Sequence, residues 1–93
     1  MLRYETSFGT IELTEERKDH ILRFHPEVSG VLNEFERTLQ LPDSIIRSQY
    51  DPEVRIWYRY LPQHKKLLAI VVKMNTRHFI LTAYLTKKST HSS

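Results

Sequence analysis

The side chains in this sequence that can move protons or hold a phosphate are histidine, arginine, lysine, threonine and tyrosine, with no obvious carboxylate pair beside them. That set suits RNA cleavage without a metal. The reaction needs a base for a ribose 2′-hydroxyl, cationic donors for the charge that grows on the phosphorane, and an acid for the departing 5′-oxygen. Histidine supplies proton transfer near neutral pH, while arginine and lysine hold phosphate oxygens. The chain has no glycine-rich phosphate loop, no GxSxG elbow and no HExxH pair, so nucleotide hydrolysis and zinc hydrolysis lose support. His20 and His25 are five residues apart and would point in different directions around a helix, which disfavours a shared metal. Cysteine is absent, which removes disulfides, thiolate metal sites and thiol nucleophiles. No cofactor is called for.

Among the histidines, His25 stands out because Pro26 follows it. A corner fixed by proline would aim its ring at the rest of the fold, although the same residue would also serve simply to end one helix and cap the next. His64 and His78 fall in expected turns and His91 in a polar tail, where solvated side chains are the rule. Lys73 ends an otherwise apolar run and would either open onto a cleft as a phosphate ligand or snorkel to solvent. Arg55 and Arg59 flank Trp57 at alternate positions, so basic groups would frame an aromatic platform on which a base stacks. The competing reading makes Trp57 core. Thr82 and Tyr84 share a strand face and would bond either a phosphate oxygen or their own neighbours across the sheet. Arg47, Lys65, Lys66 and Arg77 complete the candidate RNA-binding set.

These residues need elements to position them. Tyr4 to Leu13 reads as extended, with a turn at Phe8-Gly9-Thr10. Thr14 caps a helix whose first residues, Glu15 and Glu16, suit the positive end of the helix dipole, and which stops at His25. Pro26 suits the first turn of a second helix. Its Val28, Leu32, Phe35 and Leu39 recur at helical spacing as one apolar stripe. After Leu41-Pro42-Asp43 the period changes from 3.6 to 2. Ile45–Gln49, Val54–Tyr60, Leu67–Met74 and Phe79–Thr86 read as four strands. In the last, Phe79, Leu81, Ala83 and Leu85 alternate with Ile80, Thr82, Tyr84 and Thr86. The links between strands are too short for crossover helices, which predicts an antiparallel meander. The expectation is one α+β domain over residues 1–86, with two N-terminal helices on a four-stranded antiparallel sheet and the Tyr4–Leu13 segment as an additional strand. Residues 87–93 would fray.

At 93 residues, with 40% hydrophobic and 27% charged side chains, the chain has the size and composition of one globular domain. Its net charge of +3 conceals an asymmetry. Residues 1–45 hold five basic and nine acidic side chains, whereas residues 46–93 hold nine basic and only two acidic ones, Asp51 and Glu53. A basic half of this kind attracts phosphates, or else pairs with the acidic helices of its own domain. No stretch approaches the roughly 20 apolar residues of a membrane span, and a cytoplasmic protein is expected.

Ile11-Glu12-Leu13-Thr14-Glu15-Glu16-Arg17, His20-Ile21-Leu22 and Phe24-His25-Pro26-Glu27 resemble the opening of toxin-like domains, bacterial and phage-borne, of the barnase/EndoU/colicin/RelE-like ribonuclease superfamily. Leu41-Pro42-Asp43-Ser44-Ile45, Asp51 to Arg59, Leu68 to Lys73 and Ile80-Leu81-Thr82-Ala83-Tyr84 are similar to its successive strands, so the likeness spans residues 10 to 86. The resemblance implies helices on a four-stranded antiparallel sheet and, in active members, metal-independent RNA cleavage on the sheet's open face. It also implies His25, Arg55, Arg59, Lys73, Thr82 and Tyr84 as candidate positions. The catalytic set expected is His25, Lys73, Arg59, Thr82 and Tyr84, the partners RNA and an acidic, antitoxin-like inhibitor. The alternative is a non-catalytic module that binds RNA or protein through the same basic face.

Overall fold

The first thirteen residues form a hairpin, β1 (Leu2–Thr6) and β2 (Gly9–Leu13). Its turn is held by Thr6, whose hydroxyl accepts from Phe8 N–H at 3.0 Å and donates to the Gly9 carbonyl at 2.9 Å. Gly9 has φ +99°, a conformation that a side chain resists. These coordinates are a computed structural model and describe residues 1–87; the expectation of a fraying tail therefore lies, beyond Lys87, outside the described residues.

Helix α1 (Glu15–Phe24) begins where Thr14 accepts from Arg17 N–H at 3.1 Å, and ends where His25 N–H reaches the Ile21 carbonyl at 2.7 Å. The expected single second helix is instead a 3-10 stretch, Pro26–Glu34, followed by a short α2 (Phe35–Gln40). Val31 breaks the regularity with φ −128° and ψ 15°. The buried positions explain the tighter winding: Val28 and Val31 both lie in the core, and a spacing of three eclipses on a 3-10 turn. Leu32, expected in the stripe, packs only at its margin.

Strands β3 (Ser44–Arg47), β4 (Val54–Leu61), β5 (Lys66–Met74) and β6 (His78–Thr86) form an antiparallel meander. The sheet as a whole has six strands in the order β1-β2-β6-β5-β4-β3 and is mixed, because β2 runs parallel to β6 through Ile11–His78 and Glu12–Phe79. This corrects the expected four-stranded antiparallel sheet. Short links dictate antiparallel pairing only between consecutive strands. Strands β2 and β6 are joined through the helices and the whole meander, so nothing local fixes their direction.

One sheet face packs on the helices. Ile11, Leu13, Trp57, Leu68, Ile70, Val72, Ile80 and Ala83 meet Ile21, Val28, Val31, Phe35 and Leu39 in one buried cluster. Each such aliphatic or phenyl side chain contributes about 1.5–3 kcal/mol by leaving water. A bulge corrects the expected alternation in β6. Val71 pairs with Thr82 but Val72 with Ile80, leaving Leu81 as the extra residue. Ile80 thereby joins Ala83 on the helix side, and Phe79 turns to the other face beside Lys73. No helix among the described residues is long and apolar enough to cross a membrane.

Candidate functional site

The register sorts the candidate residues onto two faces. Trp57 pairs with Ile70 and Ile45, and Ile70 with Ala83, a row that lies in or against the core. Trp57 is 0% exposed, so it offers no face to a base, and the expected stacking platform is corrected to a core residue. Phe8 packs edge-on against it at 5.6 Å and 85°. The neighbours of Trp57 at alternate positions share its face. The Arg55 guanidinium sits 5.8 Å from the Phe8 ring centre, and Arg59 Nη1 donates to Glu34 Oε1 at 3.0 Å. Arg59 is thus tied to the helical layer, on the opposite side of the sheet from Thr82 and Tyr84.

The far face carries the remaining catalytic candidates. Tyr58, Ala69 and Tyr84 form one cross-strand row. Ala69 is small enough for the two tyrosines on either side to hydrogen-bond above it, and burial together with the Tyr58 contact pushes the Tyr84 phenol up to about 12. The imidazole of His25 lies against Tyr84, with ring centres 5.8 Å apart. Its Nδ1 is 3.6 Å from Glu27 Oε2, an ion pair when the ring is protonated. The last turn of α1 delivers His25 to this place, and the Pro26 that opens the 3-10 stretch keeps it there. Thr82 belongs to the adjacent row, opposite Val71. His25, Thr82 and Tyr84 therefore gather at one corner, where β6 extends beyond its pairing with β2.

Lys73 occupies the same face but not the same corner. Four residues separate it from Ala69 along β5, about 13 Å at roughly 3.3 Å per residue. Its ammonium lies 2.6 Å from Asp51 Oδ2 and 3.3 Å from Glu53 Oε1. The bond from Asp51 raises the Lys73 pKa, and the reciprocal bond, helped by Glu53 N–H, holds the Asp51 carboxyl below its usual range. The carboxylates are fixed by their turn: Asp51 Oδ1 accepts from Glu53 N–H at 2.9 Å, and the Glu53 carbonyl accepts from Met74 N–H at 2.6 Å. The only two acidic residues of the basic half thus both reach Lys73.

The RNA-binding candidates are dispersed. Lys65 and Lys66 lie at the β4–β5 turn, Lys65 with φ +53°. Arg77 sits at the other end of β5, about 26 Å away by strand length. Arg47 is exposed on β3. Arg77 Nη2 donates to Glu12 Oε2 at 2.8 Å, and Arg3 Nε reaches the same oxygen at 3.3 Å, which lowers the Glu12 pKa. An open cleft of about 290 Å³ lies beside them, lined by Phe8, Thr10, Glu12, Thr76, Arg77 and His78 among others. Much of the charge asymmetry along the chain closes on itself, with Arg59 and Arg77 of the basic half bound to Glu34 and Glu12 of the acidic half. Among the described residues no three histidine, aspartate or glutamate side chains are grouped to hold a metal ion.

The sequence reading passed over Tyr58, Glu27 and the Asp51-Pro52-Glu53 turn. Tyr58 becomes visible only once the cross-strand register is known. The acidic turn carried a signal in the sequence, two carboxylates isolated in an otherwise basic half. Comparison with protein-family models, with curated proteins and with solved structures finds no match for this chain.

Proposed function

We propose that the chain is a metal-independent, toxin-like ribonuclease whose proton-transfer site is the corner formed by His25, Tyr84 and Thr82. The observation that carries this reading is the packing of His25 against Tyr84, which puts a group able to exchange protons at neutral pH beside a phenol that stays protonated there. In this reaction the His25 imidazole takes the proton from a ribose 2′-hydroxyl, and the 2′-oxygen attacks the adjacent phosphorus. The phosphorus bond to the 5′-oxygen breaks, and the products are a 2′,3′-cyclic phosphate and a 5′-hydroxyl. Tyr84 and Thr82 donate hydrogen bonds to the phosphoryl oxygens, with charge concentrated on them in the transition state. Lys73 is too distant for the same phosphate and meets a neighbouring one, which makes it a binding group. Arg59, held by Glu34, is not assigned a step. The substrate is single-stranded RNA in the cytoplasm, and a cognate inhibitor would be an acidic protein covering this corner and Lys73.

The competing reading, a non-catalytic module that binds RNA or protein, is favoured by the internal pairing of Lys73, Arg59 and Arg77. The two separate on His25→Ala, assayed with labelled RNA in EDTA. A nuclease loses about 100- to 10,000-fold in rate while its RNA affinity stays nearly intact. Cleavage at the wild-type rate in the variant removes His25 from the site. A wild-type protein that binds RNA but cleaves none under any condition leaves the binding module.

A further inference from the structure

The two edges of the sheet are treated differently. At β1 the edge is guarded: α2 packs beside the strand, and Gln40 Nε2 donates to the Glu5 carbonyl at 2.9 Å. At β3 no described element provides such a cover, and the strand carries neither the proline nor the lysine with which edges are commonly blunted. Its hydrogen-bonding phase follows from the register. Ser44 pairs with Tyr58 and Ile46 with Ile56, and Ser48 N–H reaches the Val54 carbonyl at 2.9 Å. Even-numbered residues therefore bond to β4, and the backbone N–H and C=O of Ile45 and Arg47 point outward from the sheet.

We infer that β3 is a self-association edge, on which a second copy of this chain adds its own β3 antiparallel about a two-fold axis through Ile46. In that register Ile45 faces Arg47 of the second copy and Arg47 faces its Ile45, so all the outward backbone groups are paired by four hydrogen bonds. Ile46 then stands opposite its own symmetry mate. It is half-buried on the sheet face away from the helices, next to Ile56 and Val71 in a continuous cross-strand row, and the two apolar rows join. On the opposite face Arg47 lies diagonal to Asp43 of the second copy, within reach of a long side chain. Arg47 has no ion-pair partner among the described residues, and Asp43 is held in place by accepting Tyr60 N–H at 2.6 Å. The edge is thus complementary to itself in backbone, apolar side chain and charge, which is what an isologous contact requires.

Sedimentation equilibrium between about 10 µM and about 1 mM tests the inference across the range of a small interface. The wild type should pass from monomer to dimer, and Ile46→Lys, which opposes two ammonium groups at the axis, should stay monomeric with an unchanged circular dichroism spectrum. Amide exchange gives a second reading that needs no variant. Raising the wild-type concentration should slow exchange at Ile45 and Arg47 and leave Ser48, already bonded within the chain, unaffected. A wild type monomeric at 1 mM, a dimer that survives Ile46→Lys, or protection that builds elsewhere than at Ile45 and Arg47 overturns the inference.

Discussion

Replacing Trp57 by alanine separates the two roles that a tryptophan between two arginines can have. Trp57 is fully buried, with Ile45 and Ile70 as cross-strand partners and Phe8 against its ring. A tryptophan truncated in such a place typically costs about 3–5 kcal/mol, the sum of lost transfer energy and the cavity left behind. A domain of this length has roughly 5–14 kcal/mol in total, so the variant should remain folded with little margin. At about 4–8 °C per kcal/mol for a domain of 60–100 residues, the melting temperature should fall by more than about 12 °C. Urea titration followed by far-UV circular dichroism is the appropriate assay, since Trp57 is the only tryptophan and its fluorescence disappears with it. An unchanged midpoint accompanied by weakened RNA binding would refute the argument and return Trp57 to the role of stacking platform.

Thr14→Ala removes the acceptor for Arg17 N–H and should cost about 1 kcal/mol, read as a melting temperature lower by about 4–8 °C. Because the Tyr84 pKa is raised from 10.0 to about 12, the folded state holds a proton that the unfolded chain has released between those values. Stability should therefore be intact below pH 10 and decline as pH rises towards 12; a Tyr84→Phe variant with the same alkaline decline would disprove this. Asp51→Asn combined with Glu53→Gln frees the Lys73 ammonium. Single-stranded RNA should then bind more tightly, with a salt slope steeper by about 0.7 in log K against log salt, and anisotropy titrations with an unchanged slope would exclude Lys73 from the RNA contact.

What the sequence revealed was what neighbours along the chain decide. Thr14-Glu15-Glu16 starts a helix and His25-Pro26 stops it through contacts only a few residues long, so both ends of α1 were legible. The alternation of Val54–Tyr60 was legible too, but not which face would be buried, because aromatic residues lie on both sides and only the packing of Ile21, Val28 and Phe35 chooses Trp57 over Tyr58 as the helix-facing residue. In β6 a strict period of two failed at Leu81, where one extra residue exchanges the faces of everything before it. The gathering of His25, Thr82 and Tyr84 was foreseen as a set of types without its geometry. Lys73 and Arg59 were misplaced relative to that corner because their distances depend on strand register and on which carboxylates each one meets.

The parallel contact between β2 and β6 joins the first hairpin to the last strand, Ile11 to His78. A growing polypeptide leaves the ribosome with its hairpin and helices long before that neighbour exists, and sheet closure must wait for the final segment. Tyr84 and Thr82 ride on that same segment, so the His25 corner assembles only at the end of synthesis. Timing is thereby built into the topology: a nascent chain with this strand order cannot attack the transcript from which it is being translated.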